Sequence, residues 1–347
     1  MNGTVLVGDD HTLGGVLASV AEDLARRGYS VRRLAAEPAP RRTVVTPAQW
    51  LRDHGDVDVA VISSRTALGP DVLAVAERLR GIVFGSIGTN GCDLDAATAR
   101  SIAVANGATT ENVDSLAEAN VMLMVALLAR LQVKTAEFGS RPKASTAVSR
   151  SRMLRDKTVG FIGYGRIAQA TEQRLAGWGV GRVLAHTRTP APRRFPDVRF
   201  VDLPTLLAEA DVIAINAPLN ASTANLVDRD MLRRTKPGAV VVNTARGGIV
   251  DEDALAELLR AGHLGGVALD TFRAEPPSAE HPLTRCDNAI VTNHNVGHTR
   301  ELFDSLVPTA IGNVADLLAG RVPAHLANPA VTTSWLRRWA QPIPSLP

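Results

Sequence analysis

Apolar positions in this chain follow two alternating rhythms. Short runs of branched aliphatic residues, the mark of buried strands, are separated by stretches in which apolar residues recur every third or fourth position, the mark of amphipathic helices. Residues 4–7 predict a strand, 13–27 a helix ended by Gly28, and 29–34 the next strand. A strand at 57–62, a helix at 70–79 and a strand at 82–87 repeat the theme, which makes one α/β unit of about 100 residues.

Residues 112–134 then predict one long helix, with Leu116, Val121, Leu123, Met124, Leu127, Leu128 and Leu131 distributed around it. A helix apolar on so many sides is a core connector between domains or part of a subunit interface. Residues 141–155 break the rhythm and read as a loop. A second series follows, with strands at 158–162, 182–185, 212–216, 239–243, 266–269 and 289–292. Six strands with intervening helices complete a doubly wound sheet. The helix expected over 301–319 has too little chain after it for a third domain, so it should return to pack on the first unit. The Pro-rich end, 341–347, reads as frayed.

Composition narrows the class. At 347 residues, 45% hydrophobic and 21% charged, the chain is a soluble globular protein of two domains, not a disulfide scaffold or a disordered chain. Two cysteines, Cys92 and Cys286, are too few for a disulfide framework or a cysteine zinc cluster; no metal and a reducing, cytoplasmic setting are expected. Residues 1–10 carry two aspartates and no basic stretch, so no secretory signal is expected. The longest unbroken apolar run, 121–129, is short of the roughly 20 residues of a membrane span, and no membrane partner is expected.

The net charge of +3 and pI near 9.2 raise the possibility of a nucleic-acid partner. Only four of the 38 basic residues are lysines, and the arginines are scattered among acids without aromatic platforms, so none is expected. One segment stays unrelieved by acid until Asp156: Arg141, Lys143, Arg150, Arg152, Arg155 and Lys157. It reads as a solvated connecting loop.

The strongest local motif is Val159-Gly-Phe-Ile-Gly163-Tyr-Gly165-Arg-Ile-Ala168, a strand running into G-x-G-x-x-A and a helix. Gly163 permits the tight turn, Gly165 lets backbone approach a pyrophosphate, and Ala168 lets helix pack on strand. The N–H groups around Arg166 and Ile167 then meet the phosphates at a helix N-terminus. At the end of the next strand an NAD site usually places an acid for the ribose hydroxyls. Here His186-Thr187-Arg188-Thr189-Pro190 follows, with Arg193 and Arg194 behind and no acid until Asp197. Thr187 with Arg188 suits a 2′-phosphate, so NADP(H) is favoured over NAD(H), which remains possible.

Three segments end late strands, where such a fold keeps its chemistry. Val241-Val-Asn243-Thr-Ala-Arg246-Gly247 sets an arginine beside a core strand, where its planar fork suits a carboxylate. Ala268-Leu-Asp270-Thr-Phe-Arg-Ala-Glu275-Pro-Pro277 and Val291-Thr-Asn-His294-Asn-Val-Gly297-His298 are the others.

On these segments, together with Gly88-Thr-Asn-Gly-Cys-Asp93-Leu-Asp-Ala-Ala, residues 106–118 and Asn328-Pro-Ala-Val331, the chain resembles the D-isomer-specific 2-hydroxyacid dehydrogenase family, which includes glyoxylate/hydroxypyruvate reductases and phosphoglycerate dehydrogenases. The ordered arginine, glutamate and histidine carry the likeness better than any one motif. The resemblance implies a Rossmann dinucleotide-binding domain, 106–298, inserted in a discontinuous flavodoxin-like substrate domain, 1–105 with 299–335; the remaining 336–347, with its Pro-rich end, reads as a frayed tail. It implies that Arg246 grips the carboxylate and carbonyl of a small 2-oxo acid, that His294 is the general acid and base, and that Glu275 orients His294. Asp270 would face the nicotinamide end of the cofactor, with Ala217, Pro218, Thr223, Thr244, Ala245 and Gly297 also lining the cofactor site. Ser64, Arg65 and the backbone around Ile87, Gly88 and Thr89 would receive the substrate from the other domain, whose closure expels water. A homodimer is implied as well.

The residue types make chemical sense, because hydride delivery to a carbonyl leaves an alkoxide that histidine can protonate near neutral pH and an arginine can stabilise. His186 and His298 read as surface or rim residues, and Glu118 as structural. The chain departs from the family pattern at Asn293, Asn295, Asn90 and Arg273, and the loop 140–153 lacks the family's tryptophan. An extra anionic group on the substrate, a phosphate or phosphonate, would give Arg65 or the basic loop a purpose. The other readings are a dehydrogenase of another small anion, of phosphite or formate type, and a dinucleotide-sensing regulator without catalysis.

Overall fold

The computed structural model describes residues 3–10, 13–38, 41–140, 150–191 and 195–341. The chain divides into two compact units, Met1–Asn112 with Thr299–Pro347 and Val113–His298.

The first unit holds strands β1 (Thr4–Gly8), β2 (Ser30–Leu34), β3 (Thr43–Val45), β4 (Val59–Ile62), β5 (Thr66–Leu68), β6 (Gly81–Phe84) and β7 (Ala103–Ala105). Five form a parallel sheet in the order β2-β1-β4-β6-β7; β3 and β5 pair separately. The central strands are buried on both faces, which is why they read as runs without polar residues. The helix Arg300–Leu318 belongs to this unit and packs Leu306, Val314 and Leu317 with Leu17, Val20 and Leu24. Gly81 makes room for it, since a Cβ there would lie 2.6 Å from Leu317.

Residues 106–112 belong to the first unit by their bonding. The Asn106 N–H donates to His325 O, its Nδ2 to Ile87 O, and the Gly107 N–H to Ser86 O. The tail is ordered further than expected. The helix Thr332–Trp339 includes residues 336–339, and Trp339 Nε1 donates to Ser101 O while Arg338 donates to Arg100 O and Glu77 O. Such anchors have no periodic signature. Residues 342–347 lie outside the described residues.

The second unit is built on β8 (Thr158–Ile162), β9 (Arg182–His186), β10 (Val198–Phe200), β11 (Val212–Ile215), β12 (Val240–Asn243), β13 (Gly266–Leu269) and β14 (Ala289–Val291). The sheet has seven strands, not six, all parallel, in the order β10-β9-β8-β11-β12-β13-β14. The seventh, β10, is a three-residue edge strand too short to show alternation. The order reverses at β8, and in such sheets the crevice at that reversal binds ligands.

The expected long helix is two: Thr110–Ala129 and Leu131–Ser140, broken at Arg130 with φ +53°. The first is long and apolar enough to cross a bilayer, yet more than half of its apolar stretch is buried within the fold. Leu123, Met124, Leu127 and Leu128 pack there against Val159, Phe161 and Val240 of the sheet.

Candidate active site

Strand β8 delivers the glycine turn. Gly163 sits at φ +86°, and a Cβ on it would lie 2.6 Å from the Ala217 backbone nitrogen, so only glycine fits. Its N–H donates to His186 O at 2.8 Å, and Asn216 donates to Ile162 O. Those bonds gather the ends of β8, β9 and β11. Gly165 starts the helix Arg166–Leu175 without a side-chain cap, and a Cβ there would face open space. Among the described residues, the first-turn N–H groups of Ile167 and Ala168 have no acceptor. Uncapped donors at a positive helix end, approached across a bare glycine, fit a dinucleotide pyrophosphate.

At the end of β9 the His186 ring is tied back to Val201 O, while Thr187 is half-buried and Arg188 exposed without an ion pair among the described residues. No acid follows the strand directly. Arg193 and Arg194 lie outside the described residues, as do Arg141 and Lys143 of the basic segment. Other expected cofactor contacts are committed within the fold. Thr223 donates to Pro218 O, and Thr244 donates to Asn120 Oδ1, which is linked through Asn120 Nδ2 to Thr171 on the helix Arg166–Leu175. Gly297 is small because a Cβ would meet Leu116 at 2.8 Å.

Arg246 follows β12. Asn243 fixes its turn, donating from Nδ2 to Arg246 O and accepting the Ala245 N–H. The guanidinium bonds Ala245 O at 2.7 Å; burial lowers its pKa, opposed by the charge of Glu275. A half-buried cation this close to a core strand is stabilised by an anion.

His294 Nδ1 lies 3.0 and 3.1 Å from the two oxygens of Glu275. The Glu275 Oε1 also accepts the Phe272 N–H at 3.1 Å. Desolvation pulls the Glu275 carboxyl upward, but the His294 hydrogen bond and charge, the Phe272 N–H and Arg246 outweigh it and hold the carboxyl below its ordinary value. Arginine, glutamate and histidine, 29 and 19 residues apart in sequence, therefore share one electrostatic site. His298, beside Asp270 and His294, is pushed down by desolvation, with Asp270 opposing the shift.

Asp270 is buried, with Oδ1 accepting from Thr292 Oγ1, Asn295 N and Val296 N. Asn120, Asn243, Glu252, His281 and Thr292 escape sequence reasoning, because isolated polar residues acquire a role only through partners far along the chain.

In the first unit, Arg42 Nη2 bonds both Ser64 O and Asn90 O, drawing the loop after β4 to the loop after β6. Arg65 N donates to Ser63 Oγ. Among the described residues, the N–H groups of Ile87, Gly88 and Thr89 have no protein acceptor.

Comparison with known proteins supplies the context. The family model described as D-isomer specific 2-hydroxyacid dehydrogenase, NAD binding domain, matches residues 121–296. The D-3-phosphoglycerate dehydrogenase of Mycobacterium tuberculosis is 35% identical over 275 residues, 79% of this chain and 51% of that protein. The chain thus spans about half the length of that relative. A glyoxylate reductase of Thermofilum pendens is 32% identical over 295 residues, covering 82% of this chain and 85% of that one. The crystal structure of a Thermus thermophilus protein superposes with a TM-score of 0.77 at 30% identity, over 93% of this chain and 99% of that chain.

Proposed function

The chain belongs to the D-isomer specific 2-hydroxyacid dehydrogenase family, and on that premise we propose that it is an NADP(H)-favouring oxidoreductase interconverting a small 2-oxo acid and its D-2-hydroxy acid. The observation that carries this reading is Glu275, which bonds His294 and shares its electrostatic site with Arg246. A nicotinamide dinucleotide, when bound, supplies or accepts the hydride.

His294 commits Nδ1 to Glu275, which leaves Nε2 to pass a proton to the developing alkoxide and to take it back in the reverse direction. Arg246 pairs with the substrate carboxylate and carbonyl oxygen and offsets the charge that grows there. The uncapped N–H groups of Ile167 and Ala168, approached across Gly165 at the turn that Gly163 makes, would hold the pyrophosphate. Thr187 and Arg188, with no acid directly after β9, favour a 2′-phosphate over a bare ribose. In the first unit, the N–H groups of Ile87, Gly88 and Thr89, with Ser64 and Arg65, suit a carboxylate. The relatives' names, glyoxylate reductase and D-3-phosphoglycerate dehydrogenase, support a small acid substrate. A homodimer is part of this reading, supported by the exposed apolar side chains of Met122, Leu131 and Phe138.

The test is purified protein with NADPH or NADH and a panel of 2-oxo acids, glyoxylate and hydroxypyruvate included, followed at the nicotinamide absorbance. Oxidation of NADPH by at least one acid is expected. Tight NADPH binding without turnover of any would overturn the reading in favour of a dinucleotide sensor.

A further inference from the structure

Glu252 and His281 form a second carboxylate–imidazole pair in the same unit, with Nε2 3.1 Å from Oε2 and side chains only 11% and 10% exposed for His281 and Glu252. This pair differs from Glu275 and His294 in one respect that decides its role. His281 Nδ1 accepts the Leu283 N–H at 3.3 Å, so both ring nitrogens are used within the protein and neither is left for a substrate.

The other carboxylate oxygen, Glu252 Oε1, accepts the Arg273 N–H at 2.6 Å. The preceding peptide N–H, that of Phe272, goes to Glu275. Two adjacent N–H groups are thus held by two carboxylates, one in the reacting site and one behind it. Glu252 itself opens the helix Glu252–Arg260, a few residues after Arg246. Between them lies Gly247, where a Cβ would fall 2.1 Å from Phe272 C and 2.3 Å from Arg273 N. The backbone after Arg246 therefore lies directly against the backbone before Glu275. The His281 ring closes the arrangement, edge-on to Phe272 with centroids 5.1 Å apart.

We infer that Glu252 and His281 are positioning residues, a buried clamp that holds the Phe272–Glu275 turn on the Arg246–Gly247 turn and so sets the spacing between Arg246, which meets the substrate, and Glu275, which orients His294. A carboxylate suits this task better than an apolar contact, because its hydrogen bonds fix direction and distance, and a buried donor left without its acceptor is costly. The consequence for turnover rests on the function proposed above; the clamp itself does not.

The test uses Glu252→Gln and His281→Phe, the latter keeping a ring against Phe272 while removing the Nε2 donor. Amide hydrogen exchange at Phe272 and Arg273, read in the whole protein without substrate, should accelerate at least about tenfold in both variants. Turnover of the 2-oxo acid should fall about 10–100-fold in kcat, with NADPH affinity changed by less than about twofold, because the pyrophosphate turn lies elsewhere. Glu252→Asp, which keeps a carboxylate, should recover part of the loss. Unchanged exchange at Phe272 overturns the clamp, as does faster exchange with kcat intact. If the wild type reduces no oxo acid, the function fails and the exchange measurement decides the clamp alone. If Glu252→Gln does not fold, His281→Phe gives the answer.

Discussion

The main-chain N–H of His294 donates to the carbonyl oxygen of Asp270 at 2.7 Å, and the Asp270 carboxylate binds residues on both sides of that histidine. His294 has φ +54°, a left-handed conformation that costs a non-glycine residue roughly 1–3 kcal/mol. The bonds from Asp270 offset that cost and aim the ring at Glu275. Asp270→Leu strips the acceptor from three part-buried donors; a fully buried donor left unpaired costs about 1–3 kcal/mol, which sets the upper limit for each. Thermal unfolding should show a clear loss of stability and assays a large loss of turnover, while Asp270→Asn, which keeps one acceptor oxygen, should lose less stability. Equal unfolding temperatures for wild type and Asp270→Leu would show that the loop is held by something else.

His294→Ala should lower turnover by about 10²–10⁴-fold, the usual range for a positioned general acid. NADPH binding, followed by its fluorescence, should stay nearly unchanged, since the proposed pyrophosphate contacts belong to the Gly163–Ala168 turn. A parallel loss of binding and turnover would instead make His294 a structural residue.

Thr187→Asp places a carboxylate where the second strand of the sheet ends and where the proposed 2′-phosphate lies. NADPH affinity should fall by roughly tenfold or more, about 1.4 kcal/mol, and preference should move towards NADH. An unaltered ratio of the two affinities would put the ribose contact elsewhere.

His54 is 7% exposed, and burial lowers its pKa from 6.5 against the opposing charges of Asp53 and Asp56. The unfolded chain therefore takes up this proton first as the solution is acidified. Stability is fully present above about pH 6.5 and declines as pH falls through the folded-state value. Urea unfolding at pH 7.5 and 5.5 should show a smaller acid-induced loss for His54→Gln than for wild type. The same loss in both would assign the acid sensitivity to other groups.

The strand-helix alternation, the glycine turn at Gly163 and the order Arg246, Glu275, His294 were readable along the chain because each is a local pattern or an ordered set of them. Burial of both sheet faces makes β4 and β11 aliphatic throughout and leaves β8 and β12 mostly apolar, and Gly163 is forced by backbone approaching within van der Waals distance. β10 and the break at Arg130 were not readable, since a three-residue edge strand and one left-handed residue leave no period. Nor was the role of Glu252 or His281, which sequence leaves as an ordinary first-turn acid and a loop histidine. Local sequence determined which elements form and which residue types can do the chemistry. Tertiary structure alone decided which of those residues meet, because the bonds joining Glu275 to His294, Glu252 to Arg273 and Asp270 to the histidine loop connect positions about 20 residues apart, and packing of the sheet ends sets their spacing.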